Sequence, residues 1–198
     1  WSSDVCSSDL LVLEIIAKDN STLIKMPTVQ EKLIEAFEIE EQNKVVDYCM
    51  SSKKPNHFGI VLCFYTGLRI GELLALTWND IDFDRKTMSI NKSVFYTKIN
   101  GKYETVIDTP KTKHSIRVIP LPKQILDKLK EIKKSSKSKY VFTTRDNKMV
   151  NVRTYQRTFE RILKKLNINV KNFHALRHTF ATRAIEMGMD VKTVSEIL

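Results

Sequence analysis

Residues 172–188 read NFHALRHTFATRAIEMG, and this stretch decides how the rest of the chain is read. Asn172 is placed to cap a helix and Gly188 to end it. Leu176, Phe180, Ala184 and Met187 recur at helical spacing and predict a face turned to the core. His174, Arg177, His178 and Ala181 recur at the same spacing on the neighbouring face, so His174 and Arg177 stand one turn apart and point the same way. A guanidinium offers a planar fork to phosphate oxygens, and an imidazole exchanges a proton near neutral pH. The pair suits a phosphate whose oxygens gain charge. A satisfied histidine beside a surface arginine accounts for the same two residues.

Zinc fits this helix poorly. His174 and His178 are spaced as in H-E-x-x-H, but Ala175 stands where that motif needs its glutamate, and no cysteine or carboxylate lies nearby to complete a ligand set. No metal site is expected. Five glycines in 198 residues leave little room for a glycine-rich phosphate loop, and none is present.

Composition points the same way as the helix. Lys and Arg number 33 against 23 Asp and Glu, a formal net charge of +10. Such an excess suits a polyanion, and nucleic acid is the usual one. The 42% apolar content is enough for one packed domain. Of three cysteines, Cys49 and Cys63 sit in apolar helical stretches, which is core usage in a reducing compartment rather than a disulfide framework. No apolar run is long enough to span a membrane and no secretory signal is visible, so a cytoplasmic protein is expected.

The ends are unusual. The chain begins with Trp1, and WSSDVCSSDL, residues 1–10, repeats SSD without helical or strand period. It resembles translated sequencing-adaptor sequence and is set aside from the fold. At the other end, DVKTVSEIL opens a helix with Asp190 as cap and Val191, Val194, Ile197 and Leu198 as its apolar face, and it stops without a terminating signal. Both ends read as cut, which predicts a fragment.

Between the ends, residues 25–38 form a mixed-charge linker around Pro27. Helices are predicted at 39–52, 57–65 and from Arg69 through Trp78, with Gly67 breaking the chain between the last two. The period then changes to two. TMSINKSVFYTKI, ETVIDTP and IRVIPLP read as three strands, and the NGK at 100–102 signals a hairpin between the first two. Helices return at 123–134, with Ile125, Leu126, Leu129 and Ile132 inward, and at 152–166, 173–187 and from 191. The fold class is mainly α with a small antiparallel β-sheet, α+β.

Two further stretches could carry chemistry. In YTGLRIGELLALTWNDI, residues 65–81, Gly67 permits a sharp turn that starts a helix at Arg69, and Glu72 one turn on can orient its guanidinium. An ordinary surface ion pair is the plainer explanation. In TPKTKHSIRVIPLP, residues 109–122, Lys111 and Lys113 occupy a turn between strands, which by itself is a solvated hairpin tip.

Taken in order, TGLRIGELLALTW, TPKTKHSIRVIPLP and HALRHTFATRAIEMGMDVKTVSEIL resemble the catalytic domain of the tyrosine recombinases, the phage integrases. Gly-Leu-Arg-x-x-Glu-Leu and His-x-x-Arg-His-Thr-Phe-Ala-Thr are the specific parts, and the resemblance covers residues 37–198. It implies that residues 11–36 are the end of a core-binding domain and its linker. It implies that Arg69 and Arg177 clamp one DNA phosphate, Lys111 protonates the leaving 5′-hydroxyl, His174 assists proton transfer with the nucleophile, and Glu72 supports the site. Lys113 is the alternative to Lys111 in an uncertain hairpin register. The implied activity cuts and rejoins double-stranded DNA through a 3′-phosphotyrosine, with no cofactor, in a tetramer on DNA. The six tyrosines, Tyr48, Tyr65, Tyr96, Tyr103, Tyr140 and Tyr155, all precede Arg177, and none matches the nucleophile, which the family carries further on. The fragment is therefore expected to bind DNA without cleaving it.

Arg153, Arg157 and Arg161 form a stripe on NVRTYQRTFERILKKL opposite Phe159, Ile162 and Leu166. It is either a solvated face or, with His178, a set of DNA contacts. Two other functions stand beside the recombinase: a non-enzymatic DNA-binding module with a degenerate integrase fold, and a metal-dependent phosphodiesterase using His174 and His178, which lacks the carboxylates a two-metal site needs.

Overall fold

In the computed structural model, the residues described are 36–99, 102–108 and 116–198. The leader 1–10, most of the linker, and the turn carrying Lys111 and Lys113 lie outside them. The described residues belong to one compact unit, Ile34–Leu198.

Helix α2, Pro55–Thr66, buries His57 through Cys63, Phe64 and Thr66. A helix apolar on all sides has to be surrounded, and α1, Ile39–Met50, and α6, Ala175–Glu186, both pack against it. Pro55 opens α2, where its missing N–H costs nothing. Gly67 ends it in the left-handed region at φ 64°, donating to Cys63 O. After Leu68 the chain restarts as the short α3, Ile70–Ala75.

Helix α3 stops three residues before the sequence pattern suggests. Leu76 O accepts from Val141 N and Trp78 N donates to Lys139 O, both at 3.0 Å. Asp80 accepts from Thr77 N at 2.7 Å and from Thr77 Oγ1 at 2.6 Å. Cross-chain pairing and a tight Thr-Asp turn thus take the backbone groups that a longer helix would use.

Strands β1, Ile81–Asp82, β2, Thr87–Ile90, and β5, Arg117–Pro120, form one antiparallel sheet with β2 central. Strands β3, Ser93–Ile99, and β4, Lys102–Asp108, form a separate hairpin in which Ile99 faces Lys102. The expected continuous strand 87–99 is therefore broken at Asn91–Lys92. Lys92 Nζ turns inward to Asp80 Oδ1 at 2.8 Å and Thr77 Oγ1 at 3.2 Å, ending the alternation there.

Helix α4, Lys123–Ser135, buries Ile125, Leu126, Leu129 and Ile132 as predicted. Helix α5, Val152–Lys165, is capped by Asn151, whose Oδ1 accepts from Arg153 N at 2.9 Å, and it buries Tyr155, Phe159, Ile162 and Leu163. Phe37, Phe64, Phe159 and Phe173 meet edge to face in the core between α2 and α5.

Helix α6 corrects the expected core face. Ala175, Leu176, Thr179 and Ala184 are buried, Phe180 is half-buried, and Met187 is 88% exposed. Thr179 belongs inside because its hydroxyl is satisfied there, accepting from Phe37 N at 2.8 Å and donating to Ala175 O at 2.7 Å. Met187 lies past the last helical turn, where Gly188 N and Met189 N close back on Ile185 O and Ala184 O. In α7, Val191–Ile197, Val194 is buried and Val191 is 69% exposed, so only part of its predicted apolar face is used.

A Cβ on Gly67 would meet Leu198 Cδ2 and, at 2.8 Å, Phe180 Cδ1, in a backbone conformation that L side chains disfavour. Gly67→Ala is expected to cost at least about 1–2 kcal/mol from the backbone alone. Urea unfolding would show it, and an unchanged midpoint would contradict this account of the α2–α3 joint.

Candidate active site

The α2–α3 joint puts Arg69 at the N-cap position of the six-residue helix α3. Its backbone N–H donates to Glu72 Oε2 and its Nη1 to Glu72 Oε1, both at 3.0 Å. Glu72 is 7% exposed. On β5 the inward positions are Arg117 and Ile119, and Arg117 closes on the same carboxylate from the other side. Its Nη1 donates to Oε1 at 3.1 Å and its Nη2 to Oε2 at 2.8 Å. Burial pushes the Glu72 carboxyl up, and the hydrogen bonds and charge of Arg117, with the bonds from Arg69, more than offset it. The group is held below the usual carboxylate range and is ionised at neutral pH.

Arg177 reaches the same place from α6. Its Nη1 donates to Gly67 O at 3.0 Å, at the end of α2. Its Nη2 donates to Leu198 O, and Arg69 Nη1 reaches that oxygen too, at 3.3 Å. Two guanidinium groups that are 108 positions apart in sequence therefore meet on one oxygen atom. Burial first, and then the charge of Arg69, push the Arg177 guanidinium down to about 10, still protonated at pH 7.

His174 is exposed at the N-terminal end of α6, where its N–H donates to Asn172 Oδ1 at 2.6 Å. Asn172 thus lies two positions before His174, the N-cap residue of α6. The His174 ring lies edge to face with His178 at 4.8 Å between centroids. Burial lowers the His174 imidazole from its ordinary value, and His178, Arg177 and Arg69 lower it further. It is neutral at pH 7, able to accept a proton. His178 Nε2 is buried without a partner.

The structure gathers Arg69, Glu72, His174 and Arg177, with His178 beside them. Lys111 and Lys113 lie outside the described residues. Arg153, Arg157 and Arg161 are exposed on α5, and Arg161 folds back on its own helix, donating to Arg157 O at 3.1 Å. Among the described residues no three His, Cys, Asp or Glu side chains gather as metal ligands. Sequence reasoning missed Arg117. The signal was the alternation in Arg-Val-Ile-Pro, which puts an arginine and an isoleucine on the same strand face. An arginine on a core-facing position needs a buried anion, and Glu72 was available.

The His174 imidazole should titrate below the ordinary histidine value of 6.5, and Arg69→Ala should move its midpoint upward by removing a nearby cation. Histidine ring-proton shifts followed against pH would decide it. A midpoint above the ordinary value in the unaltered chain would contradict the placement of both arginines.

This geometry can be set beside known proteins. The sequence profile of the phage integrase family matches residues 27–198. A tyrosine recombinase XerC-like protein of Caldanaerobacter subterraneus is 35% identical over 194 residues, covering 86% of this chain and 49% of that protein. The chain spans about half the length of the curated relatives it matches. In fold, it is similar to the Tn1549 transposon integrase solved with circular intermediate DNA, with a TM-score of 0.75 at 22% identity over 96% of this chain and 67% of the other. It is also similar to a lambda integrase tetramer bound to a Holliday junction, with a TM-score of 0.67 at 18% identity over 96% and 54%. With a profile that matches most of its length and a relative above 30% identity across most of it, the chain belongs to the phage integrase family, the tyrosine recombinases.

Proposed function

We propose that this chain is the phosphate-activating part of a site-specific DNA recombinase. The observation that carries the reading is the convergence of Arg69 and Arg177, from α3 and α6, on one anionic oxygen, here that of the terminal carboxylate of Leu198, the last residue of the chain. A DNA phosphate placed there would receive both guanidinium groups on its non-bridging oxygens. As a tyrosine oxygen attacks phosphorus, those oxygens gain charge, and fixed cations stabilise that state without reorganising. The bond to the 5′-oxygen breaks, and Lys111 supplies the proton that the leaving hydroxyl needs, with Lys113 as the alternative. His174, neutral at pH 7, takes part in the proton transfers of the attacking tyrosine. Glu72 holds Arg69. Bond energy is kept in the phosphotyrosine, so the scheme calls for no metal or nucleotide.

The partner is double-stranded DNA, in keeping with the Tn1549 integrase–DNA complex, and the assembly on it is a tetramer, in keeping with lambda integrase on its junction. Arg153, Arg157 and Arg161 would add backbone contacts and His178 would flank the phosphate. No helix among the described residues is long and apolar enough to cross a membrane, and the proposed site of action is the cytoplasm. The attacking tyrosine is not one of the six in this chain. Tyr155, for example, is buried with its hydroxyl donating to Asn56 O at 2.5 Å.

Duplex binding should weaken steeply with salt, with a log–log slope of about −0.9 per phosphate neutralised. A salt series by fluorescence anisotropy checks this, and an affinity flat with salt would contradict it. On a nicked suicide substrate the 198-residue chain should leave no covalent adduct on a denaturing gel. A chain extended to include the tyrosine should leave one, and Arg177→Ala in it should lower adduct formation by about 10²–10³-fold, as for other preorganised donors. An adduct formed by the 198-residue chain itself would put the nucleophile among the six tyrosines and overturn this assignment.

A further inference from the structure

Arg117 touches no proposed phosphate position, yet it is the one buried arginine among the described residues, 9% exposed. Its Nη1 and Nη2 are spent on Glu72, and its Nε donates to Ile197 O at 2.6 Å. Desolvating such an ion pair usually costs as much as the pairing returns, so stability alone is a weak reason for it. Its geometry suggests another. Each Glu72 oxygen accepts one bond from Arg117 and one from Arg69. The Arg69 side chain is 52% exposed, while those of Glu72 and Arg117 are each 8% exposed. A half-exposed arginine has wide rotamer freedom unless its carboxylate partner is itself immobile, and from the side away from Arg69 it is Arg117 that holds that carboxylate.

We propose that Arg117 is a positioning residue: it fixes the Glu72 carboxylate as the platform that aims Arg69 at the phosphate, and through Ile197 it seats the end of α7 on the same platform. The proposal rests on the recombinase reading above. The charged and titratable groups facing Glu72 are Arg69 on its own helix, Arg117 from β5, Arg177 from α6 and Cys63 from α2, and the Asp80–Lys92 ion pair lines a small cavity with it. Burial keeps the Cys63 thiol protonated, so Cys63 adds no charge. Without Arg117, Glu72 keeps its burial and loses two of its four hydrogen bonds. Its carboxyl should then titrate above the ordinary range, and Arg69 should swing free as Glu72 protonates.

The 198-residue chain is sufficient for the test. Carboxyl-carbon NMR follows Glu72 against pH, and the exchange rate of the Arg69 Nη1 protons, which bond Glu72 Oε1, reports how firmly its guanidinium is held. Arg117→Met should raise the Glu72 midpoint above the ordinary carboxylate value and speed Arg69 exchange at least about tenfold, following the fraction of time the bonds are open. Arg117→Lys restores the charge but not the fork. It should bring the Glu72 midpoint back down and leave Arg69 exchange fast, and it keeps the question decidable if the Met variant does not fold. In duplex binding, Arg69→Ala should reduce the salt slope by about 0.9, one phosphate contact. Arg117→Met should do the same, and the double variant no more than either. Unchanged Glu72 and Arg69 signals in a folded Arg117 variant, or additive losses in the double variant, would overturn the proposal. An Arg69→Ala slope equal to the unaltered one would instead remove the phosphate-clamp reading, while the Glu72 and Arg69 signals would still decide the role of Arg117.

Discussion

One carboxylate, that of Glu72, is the meeting point of three separate parts of the chain. Arg69 brings the α2–α3 joint to it, Arg117 brings β5, and through the Arg117 Nε the end of α7 is tied in as well. Four hydrogen bonds from charged or backbone donors fall on two oxygens. Charge-assisted bonds contribute about 1.5–3 kcal/mol each, and the desolvation of a buried ion costs several. The net gain in stability is therefore modest. The asymmetry is not, because taking away one partner of a buried pair leaves an uncompensated charge, at about 3–5 kcal/mol. The arrangement is hard to alter by halves, which suits a support whose purpose is geometry.

Charge balance explains why the cluster is ready for an anion. Arg69, Arg117 and Arg177 bring three cations, and Glu72 and the terminal carboxylate of Leu198 return two anions, so the described part of the site keeps one positive charge in excess when His174 is unprotonated. Arg117 is spent on the anion. The excess sits on Arg69 and Arg177, the two guanidinium groups that meet on Leu198 O. Burial first, and then the charge of Arg69, hold the Arg177 guanidinium at about 10, and a phosphate between the pair would offset the second of these. Donors that are already oriented and already in mutual repulsion lose little on meeting a transition state that gains negative charge.

How much of this was legible in the sequence depended on the range of the interaction. Local patterns held. The inward face of α4, the break at Gly67 and the Arg69–Glu72 turn follow from residues within a few positions of each other. Readings failed where a distant partner decided the outcome. Lys92 ends a strand because Asp80 and Thr77 draw it inward. Thr179 displaces a hydrophobe from the core face of α6 because Phe37 N donates to it. Arg117 reads as an ordinary basic residue until Glu72 is seen across from it. Periodicity counts apolar residues, and each of these positions is a polar residue drawn inward by a polar partner.

The two clamp arginines are held in different ways. Arg69 depends on a side chain, Glu72, which depends in turn on Arg117. Arg177 rests on Gly67 O at 3.0 Å, a main-chain oxygen at the end of α2. The C-terminus of a helix carries partial negative charge, so it favours a cation there without any side chain's help. Helix α2 is the most thoroughly buried element, and its end moves only if the core moves. Leu68, fully buried, separates that end from Arg69. The same turn therefore gives one arginine a rigid main-chain seat and the other an adjustable ionic one. Gly67 is what makes both possible, since its left-handed φ turns the carbonyl toward α6 while sending the chain into α3. The distance between the two guanidinium groups, on which a shared phosphate depends, thus rests on the Gly67 turn for Arg177 and on the Glu72–Arg117 pair for Arg69.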